Sequence, residues 1–130
     1  MAIIKDKNIY VVMTGAKKCS LIPTLIAELI QEGARTYTFM TDMARHFIPI
    51  ANLAIPGNVL SETYSKEGQS LPIEDAVVVA PCTFNTLNKI AGGIADNYPL
   101  SIVASAIGKK RKVIVAPAMN RSLWEHPITA

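Results

Sequence analysis

The sequence predicts an α/β domain with a three-layer, doubly wound parallel sheet. Two short runs of Val and Ile, at 76–80 and 112–116, are too brief for buried helices and are typical of strands covered on both faces. Both runs are therefore expected in the middle of a sheet. Strand-like and helix-like segments alternate along the chain, which indicates right-handed crossover connections and a Rossmann-like or flavodoxin-like arrangement.

The first half of the chain predicts two strands and two helices. The strands are expected at 8–13 and 34–41, and the turn at 14–16 leads from the first strand into a helix at 20–32 that Gly33 ends. A second helix is expected at 42–50, frayed by Pro49. The first helix should face the sheet with an apolar stripe made of Leu21, Leu25, Leu29, Ile22, Ile26 and Ile30.

The second half begins with a polar, glycine-bearing stretch at 56–75, for which at most a short strand around Val59 and Leu60 is expected. After the strand at 76–80, helices are predicted at 83–94 and 98–107, and Gly108 should close the second of them. The last strand is expected at 112–116.

Length and composition indicate one domain over residues 1–130, because 130 residues with half of them apolar can bury a sufficient core without crosslinks. Cys19 and Cys82 lack the spacing of a metal site or a disulfide framework, so neither is expected, and a reducing cytoplasm fits best. No signal peptide or membrane-spanning run is evident in the sequence.

The net charge of +3 raises the question of nucleic-acid binding. The densest basic run, at 109–112, directly precedes a strand and is therefore expected at the amino edge of the sheet, opposite any ligand site. Stacking aromatic residues do not interleave with basic ones, so the run is interpreted as a solvated turn and no nucleic-acid partner is expected.

Polar residues directly follow the two buried strands. In open α/β sheets, the loops at the carboxyl ends of the strands form the ligand crevice. The sequence therefore predicts a site on this edge that includes Thr83, Asn85, Thr86, Met119 and Asn120.

The turn after the first strand has the features of a phosphate site. Gly15 allows close approach of a ligand, Lys17 or Lys18 can add charge, and Ser20 can donate from its hydroxyl. The alternative is an ordinary turn with Ser20 as a helix N-cap. The turn matches neither GxGxxG nor the Walker pattern, which disfavours dinucleotides and nucleoside triphosphates. With Thr41 and Thr83 at the same edge, a mononucleotide such as FMN fits.

Two motifs at this edge resemble a known family. Pro81–Thr86 reads PCTFNT and Pro117–Asn120 reads PAMN, each after a buried strand. They are similar to the Pro-Ala-Ser-Ala-Asn-Thr and Pro-x-Met-Asn turns of the homo-oligomeric flavin-containing cysteine decarboxylases, which include phosphopantothenoylcysteine decarboxylases and lantibiotic peptidyl-cysteine decarboxylases. The following LNKIAGGIADN segment, Trp124 and Pro127 also match, so the resemblance covers nearly the whole chain.

The resemblance implies an FMN-dependent carboxy-lyase acting on a small-molecule or peptidyl cysteine, with coenzyme A biosynthesis as one setting. It implies that Asn120 holds the substrate carboxylate while Met119 packs nearby, with Asn85 also at the reacting centre. A homotrimer or higher homo-oligomer with sites between subunits is also implied. The implied FMN contacts are Gly15, Ala16, Ser20, Thr41, Pro81, Thr83, Asn85 and Thr86.

The sequence departs from the family pattern at several positions. The catalytic His of the family would fall near Glu67, and His46 and His126 are the only histidines. His46 is interpreted as an exposed helical residue. For His126 two interpretations are open: it approaches the pocket, or it belongs to an ordinary turn before Pro127. Cys82 is interpreted as buried filler more readily than as a nucleophile, and Phe84 introduces a bulky ring. Family members also continue beyond the Met-Asn turn with a substrate-clamping segment.

Three functions remain open on these residues. The first is an FMN-binding cysteine decarboxylase with altered or incomplete catalytic equipment. The second is a flavoprotein subunit for another reaction, of the dipicolinate synthase type. The third is a non-catalytic regulatory protein that binds the flavin.

Overall fold

The computed structural model describes residues 3–61 and 71–127, which form one five-stranded parallel sheet between helices. The strand order is β3-β2-β1-β4-β5, so the chain winds outward from β1 in both directions. The predicted three-layer, doubly wound fold is confirmed, and the order is that of the Rossmann arrangement. The strands are β1 (Asn8–Met13), β2 (Arg35–Met40), β3 (Asn58–Ser61), β4 (Ala76–Cys82) and β5 (Lys112–Pro117).

The strands alternate apolar side chains between two cores because successive residues point to opposite faces of a sheet. Val11 and Met13 pack with helix α1 (Ile22–Gln31) on one face. Tyr10 and Val12 lie on the other face, which helices α2 (Phe84–Ala91) and α3 (Tyr98–Gly108) cover. The change of winding direction falls between β1 and β4, where a crevice opens at the carboxyl ends of the strands.

The first predicted helix is correct in place but differs at its start. A 3₁₀ helix at Lys17–Leu21 precedes α1, and Pro23 stands in the first turn of α1, where its missing N–H costs nothing. Ile22 and Ile26 are buried against the sheet as predicted. Leu21 is 62% exposed, so its place in the predicted apolar stripe is wrong, because the 3₁₀ turn rotates it outward.

The predicted helix at 42–50 is wrong. Two 3₁₀ helices, Met43–His46 and Ile50–Leu53, take its place. Pro49 adopts an extended conformation between them, and a proline also disfavours helical geometry in the residue before it.

The predicted helix at 83–94 ends early, at Ala91, because Gly92 and Gly93 follow and Gly93 has a φ of 73°. The helix predicted at 98–107 is confirmed, and it runs one residue further, through Gly108. A short helix α4 (Arg121–Trp124) was not predicted.

The last strand does not lie in the middle of the sheet. β5 is an edge strand with β4 as its one neighbour in the described sheet, whereas β4 is flanked on both sides as predicted. Val113 and Val115 pack on the α2–α3 face, but Ile114 points to the opposite face and is half exposed. The apolar run at 112–116 therefore predicted the strand correctly. The position of the strand in the sheet depends on the crossover connections, which the run does not indicate.

A polar network fastens the short strand β3 at the other edge. Thr36 and Thr38 project from β2 on one face, and both of their hydroxyls are fully buried. Asn58 Oδ1 accepts hydrogen bonds from both hydroxyls, at 2.7 and 2.9 Å. Its Nδ2 donates to the Leu53 carbonyl at 2.9 Å, so one side chain satisfies three buried polar groups.

The basic run at 109–112 lies at the amino edge of the sheet, as predicted. Lys109 Nζ lies 2.9 Å from Oε1 of the buried Glu74, and Arg111 Nε lies 4.0 Å from the same oxygen. The run therefore includes ion-pair partners of Glu74 and is not only a solvated turn.

The same buried Glu74 also affects Tyr10. Burial, together with Glu74, Tyr98 and Tyr37, raises the pKa of Tyr10 to about 12.

Within residues 3–61 and 71–127, no helix is long and apolar enough to cross a bilayer. The same ranges contain no cluster of His, Cys, Asp and Glu suited to a metal ion.

We expect Asn58→Ala to lower the free energy of unfolding by about 2 to 4 kcal/mol, because it strands two buried hydroxyls and a carbonyl without partners. Val59→Ala, on the same strand but at a position 46% exposed, should cost less than about 1 kcal/mol. Urea unfolding of the two variants checks this. Equal losses would show that the network does not fasten the strand.

Candidate functional site at the carboxyl edge

A single hydroxyl joins the turns that follow β1 and β4. Thr14 Oγ1 donates to the Pro81 carbonyl at 2.6 Å and accepts from the Thr83 N–H at 3.0 Å. The Thr14 N–H also donates to the Pro81 carbonyl, at 3.1 Å. Thr14 is 1% exposed, so these bonds form away from competing water and fix the two turns against each other.

The β4 turn runs directly into α2 through a side-chain cap. Thr83 Oγ1 accepts the Thr86 N–H at 3.3 Å and lies 3.1 Å from Thr86 Oγ1. This bond satisfies one of the free N–H groups at the start of the helix. The Thr–x–x–Thr spacing in the sequence therefore builds a hydroxyl pair at the helix N-terminus.

The larger cavity of this edge, with a volume of about 660 Å³, opens beside these turns. We call it the main cavity. It brings together five of the predicted cofactor residues, from the ends of three strands: Gly15, Thr41, Thr83, Asn85 and Thr86. The N-terminus of α3, with Asn97 as its cap, completes the wall.

Close packing explains the glycine at the β1 turn. A Cβ atom on Gly15 would lie 2.2 Å from Met43 Cγ and 2.7 Å from Met43 Cβ. Met43 itself lines the main cavity, so any larger residue at position 15 would push the β2 turn into the cavity or away from it. Glycine is thus required here by the approach of a neighbouring segment.

Among the described residues that line the main cavity, the cation Lys89 is paired with a carboxylate. Lys89 Nζ contacts both carboxylate oxygens of Asp96, at 3.1 and 2.8 Å. The hydrogen bond from Lys89 lowers the pKa of the Asp96 carboxyl. Asp42 adds a carboxylate to the wall, and the remaining polar side chains there are hydroxyls and amides.

A second cavity, of about 330 Å³, lies on the other side of the β1 turn. We call it the second cavity. Ala16, Lys17 and Lys18 line one side of it, and the β5 turn from Pro117 to Asn120 lines the other. Two predicted site residues, Met119 and Asn120, therefore lie in this cavity together with Ala16, whereas Gly15 lies in the main cavity. The boundary between the cavities falls between residues 15 and 16.

The β5 turn is held in place by its own hydrogen bonds. The Ala118 N–H donates to the Cys82 carbonyl at 2.8 Å, which ties this turn to the end of β4. Asn120 Oδ1 accepts the Leu123 N–H at 2.9 Å and caps α4. The Asn120 Nδ2 donates to no group in the described part of the chain and is available for a ligand.

Two of the predicted cofactor contacts, Ser20 and Pro81, line neither of these two cavities. The Ser20 hydroxyl donates to the Lys17 carbonyl at 3.2 Å and lines neither of these two cavities, and it does not cap a helix. Pro81 is buried, and its carbonyl is the acceptor for Thr14. Whether either residue contacts a cofactor stays a prediction.

The residues that depart from the family pattern have different surroundings. The Phe84 and His126 rings meet edge to face, with centroids 5.5 Å apart. Cys82 is fully buried, and burial raises the pKa of its thiol to about 11, which agrees with filler and disagrees with an activated nucleophile. His46 is exposed at the end of a 3₁₀ helix. Glu67 lies outside the described residues.

Sequence reasoning missed several residues of this edge. Thr14 looked like an ordinary turn residue because its partners are 67 and 69 positions away. Met43 was assigned to a helix, and the start of α3 was not connected with the site. The one available signal was the Asp96-Asn97 pair, whose position before a helix suggested a cap but not a cavity wall.

Comparison with known proteins defines the class of this fold and site. Residues 3–130 match the Flavoprotein family, and the chain belongs to that family. The membership agrees with the predicted resemblance and supports a flavin as the cofactor.

Two named proteins show the kind of flavoprotein to which the chain is similar. The chain is 31% identical to phosphopantothenoylcysteine decarboxylase of Mus musculus, over 95% of this chain and 65% of the mouse protein. It thus spans just under two thirds of that relative. Among solved structures it is similar to the FMN-dependent cysteine decarboxylase TvaF of thioviridamide biosynthesis, with a TM-score of 0.77 and 27% identity over 95% of this chain and 80% of TvaF.

A second solved structure shows the same fold. The FMN binding protein AtHal3 has a TM-score of 0.80 and 25% identity, over 96% of this chain and 72% of AtHal3. The relatives include both phosphopantothenoylcysteine decarboxylases and peptidyl-cysteine decarboxylases.

We expect Thr14→Val to lower the free energy of unfolding by about 1 to 3 kcal/mol, because the buried Thr83 N–H loses its acceptor while the side-chain volume is kept. Thr14→Ser keeps the hydroxyl and loses one methyl, at a cost of about 1 kcal/mol. Denaturant unfolding compares the two. A larger loss for the serine variant would show that packing, and not the hydrogen bonds, holds the turns together.

The raised pKa of Cys82 predicts a stability loss at high pH. The thiol ionises in the unfolded chain above about pH 9 but in the folded chain only near pH 11. Its contribution is therefore complete below pH 9 and is lost as the pH rises toward 11, by up to about 2 to 3 kcal/mol. Unfolding free energies at pH 8 to 11 should decline less steeply in Cys82→Ala. Parallel curves for the two proteins would contradict the assignment.

Proposed function

We propose that residues 1–130 form a single flavin-binding domain that holds FMN non-covalently in the main cavity. The observation that carries the proposal is the convergence of Gly15, Thr41, Thr83, Asn85 and Thr86 on one cavity at the switch point of the sheet. TvaF and AtHal3, which share the fold, are described as FMN-dependent and FMN-binding.

The groups present fit a mononucleotide. Two helix N-termini, those of α2 and α3, line the main cavity, and each places partial positive charge where a phosphate would be stabilised. The hydroxyls of Thr41, Thr83 and Thr86 supply donors and acceptors, and Asn85 and Asn97 supply amides. Gly15 lets the wall approach closely. The residues do not offer the glycine pattern that a dinucleotide pyrophosphate requires.

We further propose that the chain acts in FMN-dependent decarboxylation of a small-molecule or peptidyl cysteine. Bound FMN would supply the two-electron oxidation of the cysteinyl carbon–sulfur unit that allows the neighbouring carboxylate to leave as carbon dioxide. The chain's own part is to hold the substrate. Asn120 Nδ2 is positioned to donate to the substrate carboxylate, and Met119 packs beside it in the second cavity.

The histidine that serves as acid or base in the family pattern has no counterpart at the matching position of this chain. In the sequence no histidine lies between His46 and His126, and the described contact of His126 is with Phe84. Removing a general acid or base typically lowers a rate by about 10² to 10⁴, so we propose slow turnover by this chain alone. A homo-oligomer with a second subunit at the site remains part of the proposal.

The comparisons do not favour the two alternatives, a dipicolinate synthase-type subunit and a non-catalytic regulator. The named relatives are decarboxylases. The decarboxylase proposal therefore stands first.

Flavin binding is tested on the purified protein by its absorbance spectrum and by titration of the apoprotein with FMN. Asn85→Ala should weaken FMN binding by about three- to thirtyfold without loss of stability, because the Asn85 side chain is exposed and bonds to no described group. Asn52→Ala, an exposed asparagine outside the cavity, is the matched control. A purified protein that stays colourless and does not bind added FMN would contradict the proposal.

Decarboxylation is tested by carbon dioxide release from phosphopantothenoylcysteine and from peptides that end in cysteine. Asn120→Asp should abolish the release yet keep FMN and the fold. The aspartate still accepts the Leu123 N–H and caps α4, but it repels a substrate carboxylate. Release that persists at the wild-type rate in this variant would exclude Asn120 as the carboxylate contact.

A further inference from the structure

Two lysines of the site have no role in the cofactor proposal. The sequence suggested that Lys17 or Lys18 adds charge near a phosphate. The structure instead places both on the wall of the second cavity, opposite Met119 and Asn120. Neither lines the main cavity, because the chain turns into the 3₁₀ helix directly after Ala16.

The second cavity is positively charged on the side of these lysines. Neither ammonium forms an ion pair with a carboxylate anywhere in residues 3–61 and 71–127. No acidic residue is among the described residues that line this cavity. The contrast with the main cavity is direct, since Lys89 there is neutralised by Asp96 at 2.8 Å.

The other walls of the second cavity are apolar apart from Asn120. Pro117, Ala118 and Met119 face Ala16 across a volume of about 330 Å³. Such a space suits an anionic group carried on an aliphatic or peptide stem. One carboxylate needs only the Asn120 amide, so two ammonium groups are left for a second negative charge.

We propose that Lys17 and Lys18 make the second cavity an anion subsite, which selects cysteinyl substrates that carry a negative group in addition to the carboxylate that leaves. The shared chemistry is a phosphate monoester or an acidic side chain on the substrate stem. This inference rests on the proposed function for the identity of the substrate, but not for the charge of the cavity.

The test uses full-length, flavin-loaded protein and ligands that cannot react, because serine replaces their cysteine. One pair is phosphopantothenoylserine and pantothenoylserine. The other is a pentapeptide that ends in serine and begins with either aspartate or asparagine. Calorimetry at low ionic strength gives the Kd of each ligand for the wild type, for Lys17→Gln/Lys18→Gln, and for the control Lys110→Gln, which changes an exposed lysine at the amino edge.

In the wild type we expect the charged member of at least one pair to bind about tenfold more tightly than its neutral partner. The advantage should disappear in the double variant, remain in Lys110→Gln and shrink in added salt. An advantage for the phosphate pair alone identifies a phosphate ester as the source, and one for the peptide pair alone identifies an acidic peptide.

Equal binding within both pairs, an advantage that survives in the double variant, or no binding of any ligand to flavin-loaded protein would overturn the subsite. Failure of the proposed function is seen separately, as failure to bind FMN. In that case the same four ligands, titrated into the apoprotein, decide the subsite by the same criteria.

Discussion

The hydroxyl of Thr14 is the contact on which the carboxyl edge depends. Parallel strands end at the same edge, so the turns after β1 and β4 must pass each other where the winding direction changes. Thr14 Oγ1 acts as donor to Pro81 in a buried bond and as acceptor from Thr83 in a partly buried one. Together with the Thr14 N–H, which also donates to Pro81, this hydroxyl fixes the Thr83 cap, and with it the start of α2, relative to β1. The relative position of the two turns that line the main cavity therefore depends on this hydroxyl.

The sequence predicted most of the sheet because strand periodicity and crossover handedness leave little freedom. It did not predict which strand lies at an edge. The run at 112–116 is as apolar as that at 76–80, yet Ile114 is half exposed because β5 has a neighbour on one side only. It also did not predict the roles of Thr14 and Asn58, because the Thr14 bond to Thr83 and the Asn58 bonds to Thr36 and Thr38 span 20 to 69 residues and leave no local pattern. Most of the predicted site residues line one of the two cavities, whereas Ser20 and Pro81 line neither. The division into two cavities between residues 15 and 16 depends on the 3₁₀ helix after Ala16, which the sequence did not predict because its apolar spacing indicated an α-helix.

Two positions of the β4 turn that depart from the family motif, Cys82 and Phe84, lie beside contacts between this turn and the β5 turn or the residues after α4. Cys82 fills a buried position behind the β4 turn, and its carbonyl accepts the Ala118 N–H of the β5 turn. Phe84, two residues later, packs edge to face on His126, which follows α4. The segment that carries Met119 and Asn120 is thus held at its start by a hydrogen bond to β4 and at its end by a ring contact with α2. Of the two substituted side chains, the Phe84 ring thus contacts the segment that follows the Met-Asn turn, whereas the bond at Cys82 comes from the backbone.

The charges differ between the two cavities, and this difference agrees with the proposed division between cofactor and substrate. A flavin phosphate in the main cavity would be held by helix N-termini, neutral hydroxyls and amides, because the cation there, Lys89, is already paired with Asp96. Neutral dipoles that are fixed by capping bonds bind an anion without reorganising, so no further cation is required on that side. The unpaired lysines lie across the β1 turn, where their field acts on whatever enters beside Asn120. A cofactor that stays bound is served by fixed dipoles, while a substrate that must arrive and leave is better served by flexible, solvent-exposed charges, which attract it over a distance and release it easily.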